Sequence, residues 1–223
     1  GRCAVSASTP GFLPFMPEDF GDAPPPSPAA RSDADELPAA QPARRGDWMQ
    51  TYTQRQFWPL DPRPEEIDVL DIAHALSHLC RFAGHVTRFY SVADHCVRVS
   101  RLAAPDDRAL ALAGLLHDAT EAYVVDVPRP LKRFLPGYAE IEARVARCVE
   151  VRFGLEIGIL DHPAVKGWDE VLLATEARDL MGGESAGKWH LRAQPLPQRI
   201  APMPSELARA AFLERFEELG GRR

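Results

Sequence analysis

The sequence predicts a mainly α fold, an irregular bundle of five to seven helices behind a disordered tail. Three observations lead there. Apolar residues recur at three- and four-residue spacing from Asp68 onward. Helix punctuation sits at the ends of those runs, as at Ser91, Pro163 and Gly182-Gly183. Strand-like composition, rich in Thr, Tyr, Phe and Trp, is confined to Trp48–Leu60.

Residues 1–46 hold nine of the 21 prolines, including Pro24-Pro25-Pro26, among alanine, serine and aspartate. Such a segment buries too little apolar surface to offset its ordering entropy, so a disordered tail is expected. Phe12, Leu13, Phe15 and Met16 form a small apolar patch within it, read as incidental. The folded domain is placed at 47–223. It opens with a short extended piece or hairpin and a turn at Asp61-Pro62-Arg63-Pro64.

The helices follow in order. The first is expected over Asp68–Phe82. The second starts at Ser91, an N-cap with Asp94 three residues on, and turns Val92, Cys96, Val99 and Ala103 inward. Asp94, Arg98 and Arg101 are assigned to its outer face. The third follows Pro105 and runs to about Tyr123. Val127-Pro128-Arg129-Pro130 predicts an extended break. The fourth covers Gly137–Phe153. The fifth is capped by Asp161, has Pro163 in its first turn and ends near Met181. After a loop over Pro195–Pro204, Ser205–Leu219 forms a last amphipathic helix.

Bulk properties exclude several functions. The net charge of -6 disfavours sequence-independent binding to nucleic acid. No apolar run approaches the ~18 residues that span a bilayer. No basic segment followed by an apolar one opens the chain, so no signal peptide is expected. Cys3, Cys80, Cys96 and Cys148 form no C-x-x-C pair and read as reduced thiols, with a cytoplasmic location as the default.

The chemistry concentrates in Leu115-Leu116-His117-Asp118-Ala119-Thr120-Glu121. The run Ala109–Leu116 is almost wholly apolar, which marks a buried helix. Three ionisable groups at its end are costly unless paired or bound to a cation. His95 lies on an inward stripe with Val92, Cys96 and Val99. Asp169 lies among Val165, Trp168, Leu172 and Leu173. A lone inward His or Asp is usually a hydrogen-bonded core residue. Together with the doublet, they predict a divalent metal held by His95, His117, Asp118 and Asp169, with Glu121 beside it.

This pattern, H…H-D…D, resembles the HD-domain phosphohydrolase superfamily. The resemblance is closest to the 5'-deoxynucleotidases of the YfbR type and the related phage dATP triphosphohydrolases. It covers about Asp71 to Met181 and includes H-D-x-x-E, here ending at Glu121. It also includes an Asp before a proline, here Asp126 and Pro128, and V-K-x-x-D, here Val165 to Asp169. An Arg and a large aromatic precede the first His, here Arg81-Phe82. The nucleotidases carry Trp where Phe82 stands, and Gly84–Tyr90 does not match them closely.

The resemblance implies an HD-domain bundle and a metal-dependent hydrolase of nucleotide phosphoester bonds. Its substrate would be a (deoxy)nucleoside 5'-monophosphate or triphosphate. The mixed N/O ligand set suits Co, Mn, Ni, Zn or Fe, with Mg a further candidate. Glu121 and Asp126 are the expected catalytic residues, and Arg81 and Phe82 the substrate contacts. A homodimer is implied, with no nucleic-acid polymer or membrane as partner. Two alternatives stay open, an HD-type iron oxygenase and a non-catalytic nucleotide sensor. His74 and His78, four apart, are read as packing or surface residues. His85 is weighed as a phosphate contact, Arg129, Lys132 and Arg133 as a solvated rim, and Glu176 as the partner of a nearby Arg.

Overall fold

The computed structural model describes residues 43–182 and 189–221. The expected tail, up to residue 42, and its apolar patch lie outside the described residues, as does Gly183. The unit that carries the helices runs Ala43–Arg223. Arg44 already belongs to it, since its guanidinium pairs with Asp61 and Glu66 and lies over the Trp58 ring.

The fold is mainly helical. A two-stranded antiparallel hairpin, β1 (Met49–Gln50) and β2 (Gln56–Phe57), opens it. Six helices of nine residues or more follow among the described residues: α1 (Val69–His78), α2 (Val92–Ser100), α3 (Arg108–Leu116), α6 (Tyr138–Arg152), α7 (Pro163–Leu180) and α8 (Ser205–Glu218). Two four-residue helices, α4 (Glu121–Val124) and α5 (Arg129–Lys132), lie between α3 and α6. No helix among the described residues is long and apolar enough to cross a membrane.

Caps explain most of the helix starts. Asp68 accepts from the Leu70 N–H, Ser91 from the Asp94 N–H and Asp107 from the Leu110 N–H, each satisfying an orphan donor. α8 places Ala208, Phe212 and Phe216 at four-residue spacing against α1 and α2, closing the core around Ile72, Leu76, Val97 and Leu116. α2 and α3 approach closely at Gly114. A Cβ there would lie 3.3 Å from the Ser100 Cα. The Ser100 hydroxyl locks the crossing by donating to the Ala111 carbonyl at 2.7 Å.

Several local expectations are corrected. α1 ends at His78, not Phe82, because Leu79 and Cys80 turn extended and Cys80 bridges Ser91. The Pro105 start gives way to Asp107, whose carboxylate supplies the cap that proline lacks. The third helix does not reach Tyr123. Ala119, Glu121 and Tyr123 donate to carbonyls three residues back, a tight turn that splits α3 from α4. Val127–Pro130 is not simply extended. α5 begins at Arg129, where Pro130 stands in the first turn and needs no N–H. α7 is capped by His162, whose Nδ1 accepts from Ala164, while Asp161 pairs with Lys166. Asp94 is fully buried, not outward. It accepts from Arg98 and from the Met203 N–H of the loop before α8.

Candidate metal centre

Three helices aim side chains at one point. His95 projects from the middle of α2, and His117 and Asp118 sit where α3 breaks. Asp169 comes from α7. His95 Nε2 lies 3.3 Å from His117 Nε2, 3.3 Å from Asp169 Oδ1 and 3.6 Å from Asp118 Oδ2. His117 Nε2 is 3.3 Å from the same Asp118 oxygen. His95, His117 and Asp118 alone satisfy the geometry of a metal-holding group. Three of the four residues expected to share a metal thus meet as one group, and Asp169 stands at its edge, 3.3 Å from His95 Nε2. The tight turn after Leu116 is what lets adjacent His117 and Asp118 face one point.

The outer nitrogens fix how these rings present themselves. His117 Nδ1 lies 2.9 Å from the Gly114 carbonyl, which can only accept, so Nδ1 carries the proton. His95 Nδ1 lies 2.7 Å from Glu176 Oε1 and donates to it. With Nδ1–H so held, Nε2 of each ring faces inward, and a neutral ring presents its lone pair there. Two lone pairs 3.3 Å apart, with two carboxylate oxygens beside them, need a cation or a proton between them. Metal ligands at about 2.0–2.2 Å leave neighbouring donor atoms roughly 3.0–3.4 Å apart. The observed spacings fit that requirement. A proton is the competing occupant. Burial and Arg81 oppose charge on His95, but Glu176 and Asp169 outweigh them and raise it to about 9. Burial would raise the Asp169 carboxyl, yet His95 holds it well below the usual carboxylate range.

Around the cluster stand the other expected residues. Glu121 is buried, and its Oε2 has no hydrogen-bond partner, an orphaned acceptor beside the His–Asp cluster. Burial, then Asp118 and Asp126, push its carboxyl well above the ordinary range. The same face argument that linked His117 and Glu121 by four residues does not apply, because the backbone between them is not α-helical. Glu121 is held instead by α4, which Tyr123 anchors by stacking on Phe57 of the hairpin and accepting from the Asp68 N–H. Burial raises Asp126 too. Val125, just before it, has φ 69, a left-handed conformation rarely taken by a β-branched residue. Strain of this kind marks a constrained segment.

Arg81 reaches into the centre with both Nη atoms engaged, on Asp118 Oδ2 at 3.3 Å and Glu176 Oε2 at 3.2 Å. Glu176 thus pairs with an Arg as expected, and also with His95, which sequence spacing did not reveal. Phe82 takes a left-handed φ of 54 and lies 5.8 Å from the Trp189 ring. His85 is exposed. His74 and His78 stack on one another and His74 on Tyr52, and they belong to packing at the surface of α1. A cavity of about 420 Å³ opens beside the cluster, lined by His117, Asp118 and Asp169 and by three cations, Arg129, Lys132 and Lys166. Arg129 and Lys132 were expected on a solvated rim. Lys166, the lysine of the V-K-x-x-D run, was given no role of its own from the sequence, although it sits three residues before Asp169.

The fold and site define a helical protein with a half-buried cluster of two histidines and two aspartates, of which His95 alone is fully buried, at the junction of three helices. Comparison with known proteins gives its family. The chain is 38% identical over 175 residues to the uncharacterized protein YfdR of Escherichia coli strain K12, covering 77% of this chain and 95% of that one. It is 34% identical over 189 residues to an uncharacterized protein of Rhodobacter capsulatus, with the same two coverages. The chain belongs to the YfdR family. No family model matches it.

Proposed function

We propose that this protein is a metal-dependent phosphohydrolase of the HD-domain type, acting on a phosphoester bond of a small nucleotide. The observation that carries the reading is the convergence of His95 Nε2 and His117 Nε2, with Asp118 and Asp169 oxygens beside them. His95, His117, Asp118 and Asp169 would hold a divalent transition metal. When bound, it supplies Lewis acidity toward water and a phosphoryl oxygen. Glu121, with its raised carboxyl, is suited to hold or move a proton. Asp126 lies close enough to raise Glu121 and would orient the sugar or the leaving group. Arg129, Lys132 and Lys166 line the adjacent cavity beside Glu142, Asp161 and Glu170, and a phosphate there would compete with the Lys132–Glu142 and Lys166–Asp161 pairs. Arg81 and Phe82 would be further substrate contacts, although neither lines that cavity. Cytoplasmic residence and a homodimer are part of the proposal. The first is supported by Cys96 and Cys148, which pack in the core as free thiols.

The test is phosphate release from nucleoside mono- and triphosphates, screened with Mn, Co, Ni, Zn, Fe and Mg in turn. Release that requires one of these ions and disappears in Asp118→Ala supports the reading. No release from any pairing of nucleotide and ion overturns it.

A further inference from the structure

We infer that Glu176 is a positioning residue that fixes the orientation and tautomer in which His95 would meet a metal, an inference that rests on the metal reading above. The argument starts from α7. Asp169 and Glu176 are seven residues apart, two helical turns, so they share one face. Both reach the same imidazole, one at each nitrogen. Asp169 Oδ1 is 3.3 Å from His95 Nε2, and Glu176 Oε1 is 2.7 Å from His95 Nδ1. One helix therefore brings a carboxylate to each end of the ring, and the Nδ1–H bond to Glu176 sets its rotation about χ2.

Glu176 has no contact with solvent, and neither has His95. A buried carboxylate is costly unless its oxygens are satisfied. Here both are, since Oε2 accepts from Arg81 Nη2 at 3.2 Å while Oε1 takes the His95 proton. Arg81 then continues to Asp118 Oδ2. The chain of contacts His95–Glu176–Arg81–Asp118 leaves one ligand, passes behind the cluster and returns to another. A carboxylate on the far nitrogen fixes the tautomer and raises the basicity of the near one. His117 has no such partner, because its Nδ1 donates to the neutral Gly114 carbonyl. The two histidines are thus unequal ligands, and the inequality traces to Glu176.

The substitution series follows from this. Gln at 176 offers one acceptor, so it can take the His95 proton or face Arg81 but cannot accept from both. Ala offers none. Divalent-metal dissociation constants are to be measured by chelator competition with Mn and Zn, for the full chain and for Glu176→Gln and Glu176→Ala. Leu172→Ala serves as control, since Leu172 is buried on the same helix but has no polar link to His95. Unfolding midpoints are recorded for all of them without added metal. The expected result is weaker binding within about 10–100-fold, Ala more than Gln, with Leu172→Ala close to wild type. Zinc-loaded wild type should also show a protected His95 Nδ1–H resonance by NMR that Glu176→Gln weakens and Glu176→Ala loses. If the alanine variant does not fold, Gln carries the comparison. Unchanged affinity in Gln and Ala, or a loss no larger than in Leu172→Ala, overturns the role of Glu176 and leaves the metal centre standing. Wild-type protein that binds neither ion overturns the centre itself and this inference with it.

Discussion

Arg81 Nη1 lies 3.3 Å from Asp118 Oδ2, the oxygen that also faces His95 and His117. A guanidinium meant only for substrate would stand free, whereas this one supports a ligand of the proposed metal. Its charge is fully committed in the buried site. Although burial opposes it, Glu176 and Asp118 hold it well above its ordinary pKa. Arg81→Ala is therefore expected to act twice, raising KM for a nucleotide and also weakening metal binding by about tenfold. Kinetics at saturating metal, set beside a metal titration, separate the two. A change in KM alone would mean that the Asp118 contact contributes nothing to the site.

The ligand residues should behave as a set. His117→Ala or Asp118→Ala removes one donor from a cluster whose members lie 3.3–3.6 Å apart. Each variant is expected to lose bound metal, measured by elemental analysis, while its far-UV spectrum stays helical. Some loss of melting temperature should accompany it, since metal binding stabilises the folded state. Full occupancy in both variants would remove the site from consideration.

Glu121 gives a contrasting profile. Its orphaned Oε2 and raised carboxyl point to proton handling and not to coordination. Glu121→Gln keeps the shape and removes the titration. Metal content should match wild type while kcat falls by roughly 10²–10⁴-fold, the usual scale for a general acid or base. Loss of metal in this variant would instead make Glu121 a ligand.

The convergence of the cluster side chains was legible in the sequence because each sits in an apolar run whose period sets its direction. His95 among Val92, Cys96 and Val99, and Asp169 between Val165 and Leu172, could only face inward. The same logic failed for Asp94. Its period puts it beside the outward Arg98, but a loop 109 residues away folds over it and supplies the Met203 N–H. The break after Leu116 was also hidden, because Ala119 and Tyr123 continue the apolar pattern while the turn depends on backbone bonds three residues back. Glu176 illustrates the same limit. Spacing placed it on the Asp169 face, but its bond to His95 joins residues 81 apart. Local pattern encodes direction, and long-range partners are set by tertiary packing.

The core closure by α8 makes a stability prediction independent of the site. Phe212 is wholly buried in the cluster with Phe216 and Ala208, where α8 meets α1 and α2. Phe212→Ala leaves a cavity that rigid neighbours cannot fill. The expected cost is about 3–5 kcal/mol, read from urea unfolding. A cost below about 1 kcal/mol would mean that α8 is not part of the cooperative core.

The loop between α7 and α8 should give a pH-dependent signal of its own. Asp179, at the end of α7, accepts from Arg178 Nε at 2.7 Å, from the Ile200 N–H at 2.8 Å and from Arg199 at 3.0 Å. Arg178 in turn donates to the carbonyls of Leu196 and Gln198. The Arg178 bonds hold the Asp179 carboxyl at about 2, against an unfolded value near 4. A depressed carboxylate binds fewer protons in the folded state, so it stabilises the fold above the unfolded pKa and loses that effect as pH falls toward 2. Asp94, beneath the same loop, is shifted the other way by burial, so wild type alone mixes the two signs. Asp179→Asn isolates one of them, because Asn can still accept from Ile200 but carries no charge. At pH 6 to 7 the variant is expected to melt about 2–4 °C below wild type, a modest effect because Arg199 is exposed and screened. The gap should narrow steadily below pH 4 and close near pH 2. A gap that stays constant across that range would show that the loop is held by the neutral hydrogen bond to Ile200 and not by the charge on Asp179.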